Sequence, residues 1–374
     1  MEHQQILQKN TGFFAFLLSG ICAISSGIVV SLLQESYGFS YSMTGTLLSL
    51  MSIGNLLSGF LSGMLPSKIG SKTTILLLTC GYAVGYLMMG FSGLPLILML
   101  GFFLVGAAKG NAINTCTILV ADNSKNRTKG MNLMHSCYAL GALLCPFIIA
   151  FSAKAGRIFP MLLLSLFGLF MWLAFCFTPV ETKTTKKEQL ADRSFLKSKK
   201  FWIITGLLFC QNGAETSVTG WLVTYFKGNG IITEALSPYT VTVMWGATLI
   251  ARMLIAFVIP IKNSYSAMIK MSVGCILFYI GLILSHSQNA AILLLFAFAF
   301  SMAGMNPTAV ASAGRMTSAA SMGIMLPAAS SGAIIMPWII GIVAEHTGIS
   351  TGMAVNILPC IGMLLFSLAG KQLK

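Results

Sequence analysis

Glu215, Lys109 and Arg252 lie inside long apolar stretches of a 374-residue chain in which charged residues make up only 9%. Charge among apolar groups is costly, so each of these side chains calls for a partner or a chemical role. On a helix Glu215 shares a face with Gln211, one turn earlier. A carboxylate beside an amide can exchange a proton or bind a hydroxyl. The other reading is a structural pair with Arg252 or Lys109. Lys109 can hold an anionic group or compensate Glu215, but Gly106 and Gly110 beside it equally fit close helix packing. Arg252 can pair with Glu215, line an inner vestibule, or extend to the nearer interface. His135 can carry a proton or serve as a hydrogen-bonded structural imidazole. Asp122, next to Lys125 and Arg127, reads as an interfacial or gating charge.

The neutral polar set is larger. Asn111, Asn114, Gln211, Asn212 and Asn306 offer both donors and acceptors, which suits a polyhydroxylated solute. Asn111 and Asn114 share a helix face and are expected to point into one cavity. Trp221, Trp245 and Trp338 can stack on a ring or anchor at an interface. The nine cysteines form no Cys-x-x-Cys or Cys/His cluster, so neither a metal site nor a disulfide frame is expected, and no cofactor is implied. The absence of a Gly-x4-Gly-Lys-Ser/Thr loop points away from nucleotide hydrolysis as an energy source. No two acids lie at a spacing that suits an intramembrane hydrolase, so an enzyme is not expected.

Twelve apolar stretches position these residues, near 12–34, 43–65, 73–91, 95–121, 129–153, 158–178, 201–226, 237–259, 265–285, 288–310, 317–344 and 350–370. Each has about the 20 residues that a helix needs to cross the hydrocarbon layer. Apolar residues make up 56% of the chain, and mean hydropathy is +0.84. The chain lacks the two-residue alternation of a lipid-spanning barrel. An all-α membrane protein of twelve transmembrane helices is expected.

The basic residues set its orientation. With the N-terminus inside, eighteen of the 23 fall in cytoplasmic segments and three (Lys154, Arg157 and Lys227) on the other side, as the positive-inside bias requires. Both termini are then cytoplasmic, in a multi-pass protein of the cytoplasmic (inner) membrane. The net charge of +14 belongs to helix ends facing anionic lipid headgroups, not to a nucleic-acid groove.

Residues 179–200 form the one long polar stretch, a cytoplasmic linker between six-helix bundles at 1–178 and 201–374. The halves resemble each other. Gly141-x4-Pro146 and Gly332-x4-Pro337 recur at an offset of 191, Pro66 and Pro260 at 194, and Asn111 and Asn306 at 195. Paired six-helix repeats with a site near the membrane midplane are a transporter architecture.

After the second stretch the chain reads Gly63-Met-Leu-Pro-Ser-Lys-Ile-Gly-Ser-Lys72. It resembles the signature Gly-x-Leu-Ala-Asp-Arg-x-Gly-Arg-Arg of the major facilitator superfamily, keeping Gly63, Leu65, Lys68, Gly70 and Lys72 and replacing the acid by Ser67. That resemblance implies the major facilitator fold, with spans one, four, seven and ten around a central cavity, a monomer, and a gating role for Lys68 and Lys72. Asn132-Leu-Met-His135 with Tyr138, Asn212-Gly-Ala-Glu215 with Gly220-Trp221, and Asn114 with Asp122 are similar to the fucose-permease-like sugar:proton symporter branch. The branch has an acid four positions before Asn114; here that position is Gly110.

The resemblance implies a secondary transporter of a small polar solute, a sugar or sugar derivative, coupled to protons or sodium and working by alternating access. An exporter of amphipathic drugs or lipids and an organic-anion transporter using Lys109 and Arg252 are the alternatives.

Overall fold

The computed structural model describes residues 2–125, 127–180, 194–259, 261–313 and 319–373. Most of the expected linker, Pro260 and Arg315, and the side chains of Arg127, Lys129 and Asn132, lie outside the described residues. Within hydrocarbon, every backbone polar group needs an internal partner, and the described chain is helical with no strand. In order the helices are α1 (Glu2–Ile24), α2 (Ser26–Tyr37), α3 (Tyr41–Met64), α4 (Pro66–Ile69), α5 (Ser71–Phe91), α6 (Pro95–Asp122), α7 (Arg127–Ala153) and α8 (Phe159–Phe177). They continue as α9 (Lys199–Asn229), α10 (Thr240–Phe257), α11 (Ser264–Leu284), α12 (Gln288–Met302), α13 (Met305–Ala313), α14 (Ala319–Thr347), α15 (Ile349–Ala354) and α16 (Ile357–Gln372).

Among the described residues, eleven segments are long and apolar enough to cross a membrane, against twelve expected. The remaining expected span is α9. Its 31 residues reach about 46 Å at 1.5 Å per residue, ample for a crossing. Gln211, Asn212 and Glu215 interrupt its apolar run, and with Trp221 this rod carries four of the candidate site residues, as many as α6.

Contacts divide the chain into two compact units, Met1–Phe39 with Thr46–Lys187, and Ser40–Gly45 with Glu188–Lys374. Each is built on close backbone approaches that only glycine permits. In the first, a Cβ on Gly141 of α7 would strike the Leu17 carbonyl of α1. In the second, a Cβ on Gly332 of α14 would strike the Phe209 carbonyl of α9. These are the glycines of the repeated Gly-x4-Pro, and Pro146 and Pro337 both lie inside their helices. The repeat therefore marks the same helix crossing in each unit.

Among the described residues three rods are broken, at α1–α2, α12–α13 and α15–α16, and each break is tied by a side chain. Between α1 and α2, Tyr86 donates to the Cys22 carbonyl at 2.5 Å and its hydroxyl lies 2.7 Å from Ser25 Oγ. At the gap between α12 and α13, Arg252 Nε donates to the Ala303 carbonyl at 3.3 Å. Near the gap between α15 and α16, Tyr279 donates to Met353 O at 2.7 Å. Such bonds add a partner to carbonyls at an interrupted helix, where Met353 O also accepts from the Asn356 N–H at 3.0 Å and Cys22 O from the Ser25 hydroxyl at 2.8 Å.

Candidate functional site

The polar middle of α9 forms the densest candidate site. Gln211 is 1% exposed and Glu215 half-buried. Their i,i+4 spacing puts them on one face, and Gln211 Nε2 donates to Glu215 Oε2. On the other side Asn306 of α13 donates from Nδ2 to Gln211 Oε1 at 3.0 Å. Thr219, one turn beyond Glu215, donates to the Glu215 backbone carbonyl at 2.8 Å and contacts Met244 Sδ of α10 at 3.7 Å. Three of the residues singled out in the sequence thus form one hydrogen-bonded chain, Asn306–Gln211–Glu215, across two helices. It ends on a carboxylate, which makes the last bond charge-assisted. Such a group can bind a polar solute, and its carboxylate can take up or release a proton.

Other candidates serve packing. Asn111 of α6 is 1% exposed. Its Nδ2 donates to Ile75 O at 3.3 Å and Thr79 Oγ1 at 2.8 Å, while its Oδ1 accepts from Ser62 at 3.3 Å and Thr115 at 3.4 Å. Two donors and two acceptor sites are all a side-chain amide has, so nothing is left for a solute. This departs from the expectation of a cavity-facing residue: Asn111 knots α6 to α5 and α3, while Asn114, three residues on, is half-buried. Trp221 is fully buried, and its Nε1 donates to Pro337 O of α14 at 3.1 Å. It pins two helices together instead of offering a ring face. Trp338 is 47% exposed.

Arg252 does not pair with Glu215; its guanidinium goes to the Ala303 carbonyl at the α12–α13 break. Lys109 is half-buried on α6. Its neighbours explain the missing acid. A Cβ on Gly106 would strike Met51 O, and one on Gly110 would strike Asn55 O, both on α3. The position where the sugar-symporter branch carries an acid is here a helix-packing surface. Asn212 is half-buried. His135 meets the Phe16 ring edge-on with centroids 5.6 Å apart, and Asp122 is exposed at the end of α6.

Within the loop signature, Lys68 is exposed and Ser67 donates to Met64 O at 2.7 Å. Gly70 has φ 84°, a conformation that glycine adopts without steric cost. Lys72 donates to Phe175 O, Cys176 O and Thr178 O at 2.6, 2.8 and 2.5 Å. A cation on the last carbonyls of α8 is favourable for the helix dipole. Thr219, Met244 and the carbonyl tie of Arg252 carried no signal in the sequence, because each depends on a partner from a distant helix.

Comparison with known proteins agrees with this architecture. Over 249 residues the chain is 22% identical to a probable sulfoacetate transporter, SauU, of Cupriavidus necator, covering 60% of this chain and 58% of that protein. Over 165 residues it is 25% identical to a gallate transporter of Pseudomonas putida, covering 41% and 37%. The matched region therefore spans less than two thirds of either relative. The crystal structure of the nucleoside transporter NupG superposes with a TM-score of 0.76 at 15% identity, covering 99% of this chain and 98% of that one. A bacterial homologue of the human lysosomal transporter Spinster, inward-facing and unoccupied, superposes with a TM-score of 0.75 at 10% identity, covering 99% and 96%. At these identities the structural likeness establishes the fold. The sequence profile of the Major Facilitator Superfamily matches residues 12–326, most of the chain, and the chain belongs to that superfamily.

Proposed function

We propose that the protein is a secondary active transporter of the cytoplasmic membrane, moving a small polar organic solute by alternating access with a proton as the coupling ion. The observation that carries this reading is the Asn306–Gln211–Glu215 chain. It gives one site both hydrogen-bonding groups for a solute and a carboxylate that can exchange a proton within a membrane-spanning rod. Within the second unit, solute binding involves Gln211, Glu215 and Asn306, with Asn212 as a further polar contact; within the first unit, Asn114 is the expected polar contact.

Two solute classes fit these groups. The fucose-permease-like motifs around His135 and Glu215 favour a sugar. The relatives named as sulfoacetate and gallate transporters favour a small organic anion. The test is uptake of labelled fucose, sulfoacetate and gallate into proteoliposomes with and without an imposed pH gradient. The proposal expects gradient-driven accumulation of one of them, and Glu215→Gln should lose accumulation while retaining exchange. Accumulation that ignores the proton gradient, or survives unchanged in Glu215→Gln, overturns the coupling assignment.

A further inference from the structure

The hydrogen bonds that end on Glu215 have a fixed direction. An ionised carboxylate offers acceptors and no donor, so Gln211 must turn Nε2 towards Glu215 Oε2, as it does. Its Oε1 then faces α13, and Asn306 must answer with Nδ2, at 3.0 Å. The charge on Glu215 therefore sets the orientation of an amide two links away on another helix. In this state Asn306 presents to a solute Oδ1, an acceptor, and the second N–H of Nδ2.

We infer that protonation of Glu215 reverses this chain and turns Asn306 from a mixed donor and acceptor into a donor alone towards the solute, which makes the solute a small organic anion carried together with the proton. The inference rests on the transporter reading above. One proton from the aqueous phase adds to Oε2, forming a single O–H bond, and no electron moves. The new O–H faces the Gln211 N–H, donor against donor. A half-turn of the Gln211 amide presents Oε1 to the acid and Nε2 to Asn306. A half-turn of Asn306 then presents Oδ1 to Gln211 and turns Nδ2 outward. The site loses a negative charge, and Asn306 exchanges an outward acceptor for a second outward N–H; both changes favour a carboxylate or sulfonate, which only accepts. A sugar hydroxyl both donates and accepts, so the reversal gives a sugar no comparable advantage.

The chain delivers this change to α13, the short helix that follows the break tied by Arg252 to Ala303 O. The charged groups of the neighbouring helices are engaged elsewhere or sit at helix ends. Arg252 on α10 holds Ala303 O. Glu345 near the end of α14 accepts from the Ser42 N–H at 3.1 Å, with His346 beside it. Lys371 is in the last turn of α16, and α13 and α15 carry no acid or base. On α9 itself Lys227 is the nearest cation, 12 residues along and about 18 Å away by helical rise. Cys210, and Tyr225 beyond Glu215, are the thiol and phenol on the same helix.

The test is infrared difference spectroscopy of the reconstituted protein between alkaline and acid buffer, with glutamine and asparagine labelled with ¹³C in their side-chain amides. A neutral-carboxyl C=O band should appear on acidification and vanish in Glu215→Gln. The labelled amide bands should shift with it, and that shift should be lost in Gln211→Met. If the proton settles on Oε1, Oε2 stays an acceptor and the amides stay in place; a carboxyl band without an amide shift overturns the proposal. In parallel, thermal-shift titration should show sulfoacetate or gallate binding roughly tenfold tighter in acid buffer, by the strength of a hydrogen bond to a charged group. Fucose binding should change little with pH. Fucose binding that tightens equally in acid also overturns the proposal. An amide shift with no transport of any solute would retain the relay and reject the transporter reading.

Discussion

Asn306 Nδ2 lies 3.0 Å from Gln211 Oε1, joining α13 to a residue that is 1% exposed in the middle of α9. The acceptor has no water to fall back on. Asn306→Ala should therefore lower stability by about 1–3 kcal/mol, the cost of an unsatisfied buried polar group. Gln211→Ala removes the acceptor as well, so the double variant should lose less than the sum of the two singles, with a coupling of about 0.5–3 kcal/mol. Denaturant unfolding of the four proteins in detergent measures it. Additive losses would mean the bond contributes nothing to the fold.

Asn111 and Asn114 provide the sharpest contrast on α6. All the hydrogen-bonding capacity of Asn111 goes to Ile75, Thr79, Ser62 and Thr115. Asn111→Leu should cost about 2 kcal/mol or more through the groups it leaves unpaired, with solute affinity unchanged in the folded fraction. Asn114→Leu should leave stability nearly intact and weaken solute uptake. Melting temperature and initial uptake rate, measured on both variants, separate the two roles. A loss of affinity in Asn111→Leu at unchanged stability would return Asn111 to the binding site.

That contrast shows what the sequence carries and what it does not. Apolar length and charge placement made the spans legible, because lipid imposes both. The importance of Gln211 and Glu215 was legible too: polar residues are rare in such a run, and their spacing puts them on one face. Which way Asn111 points was not, since its partners sit on α3 and α5, 32 to 49 residues away in sequence. Trp221 was misleading for the same reason. An indole in a motif beside Glu215 looks like a stacking platform until Pro337 O is found 3.1 Å from its nitrogen.

Trp221→Phe keeps an aromatic ring, deletes that donor and removes the fused pyrrole ring from a fully buried position. It should cost about 2–3 kcal/mol, one internal hydrogen bond plus the cavity left behind, and leave the solute concentration for half-maximal uptake unchanged. Thermal unfolding and uptake kinetics on the same preparation test this. A severalfold rise in that concentration at unchanged stability would show that the indole contacts the solute.

Lys72 closes the C-terminal end of α8 with three carbonyl contacts. Lys72→Met keeps the aliphatic stem and removes the charge, and should cost about 1–2 kcal/mol. Lys72→Arg should recover part of it, since a guanidinium also donates but with a wider, planar fork. Lys68→Met, at an exposed neighbour in the same signature, should change stability by less than about 0.5 kcal/mol. Equal effects at both positions would mean that the contacts of Lys72 do not carry its role.

The acid missing at Gly110 yields a prediction opposite in sign to the one the family pattern invites. By analogy with the sugar symporters, Gly110→Asp would restore a proton site and strengthen coupling. The helix crossing forbids it. A Cβ at Gly110 would strike the Asn55 carbonyl and lie 3.1 Å from Ser58 Cβ, and Gly106 one turn earlier is set as closely against Met51 O. Backbone atoms of α3 cannot give way as a side-chain tip can. Even Gly110→Ala should therefore be destabilising, by about 1–3 kcal/mol for an overpacked contact. Gly110→Asp adds a carboxylate forced into the same seam and should fail to yield folded protein. Size-exclusion profiles and thermal unfolding of the two variants beside Gly59→Ala, where a Cβ meets open space, provide the comparison. A well-folded Gly110→Asp protein with enhanced proton-driven uptake would show that α6 and α3 separate during the cycle, and that the coupling role of the position is latent rather than excluded by packing.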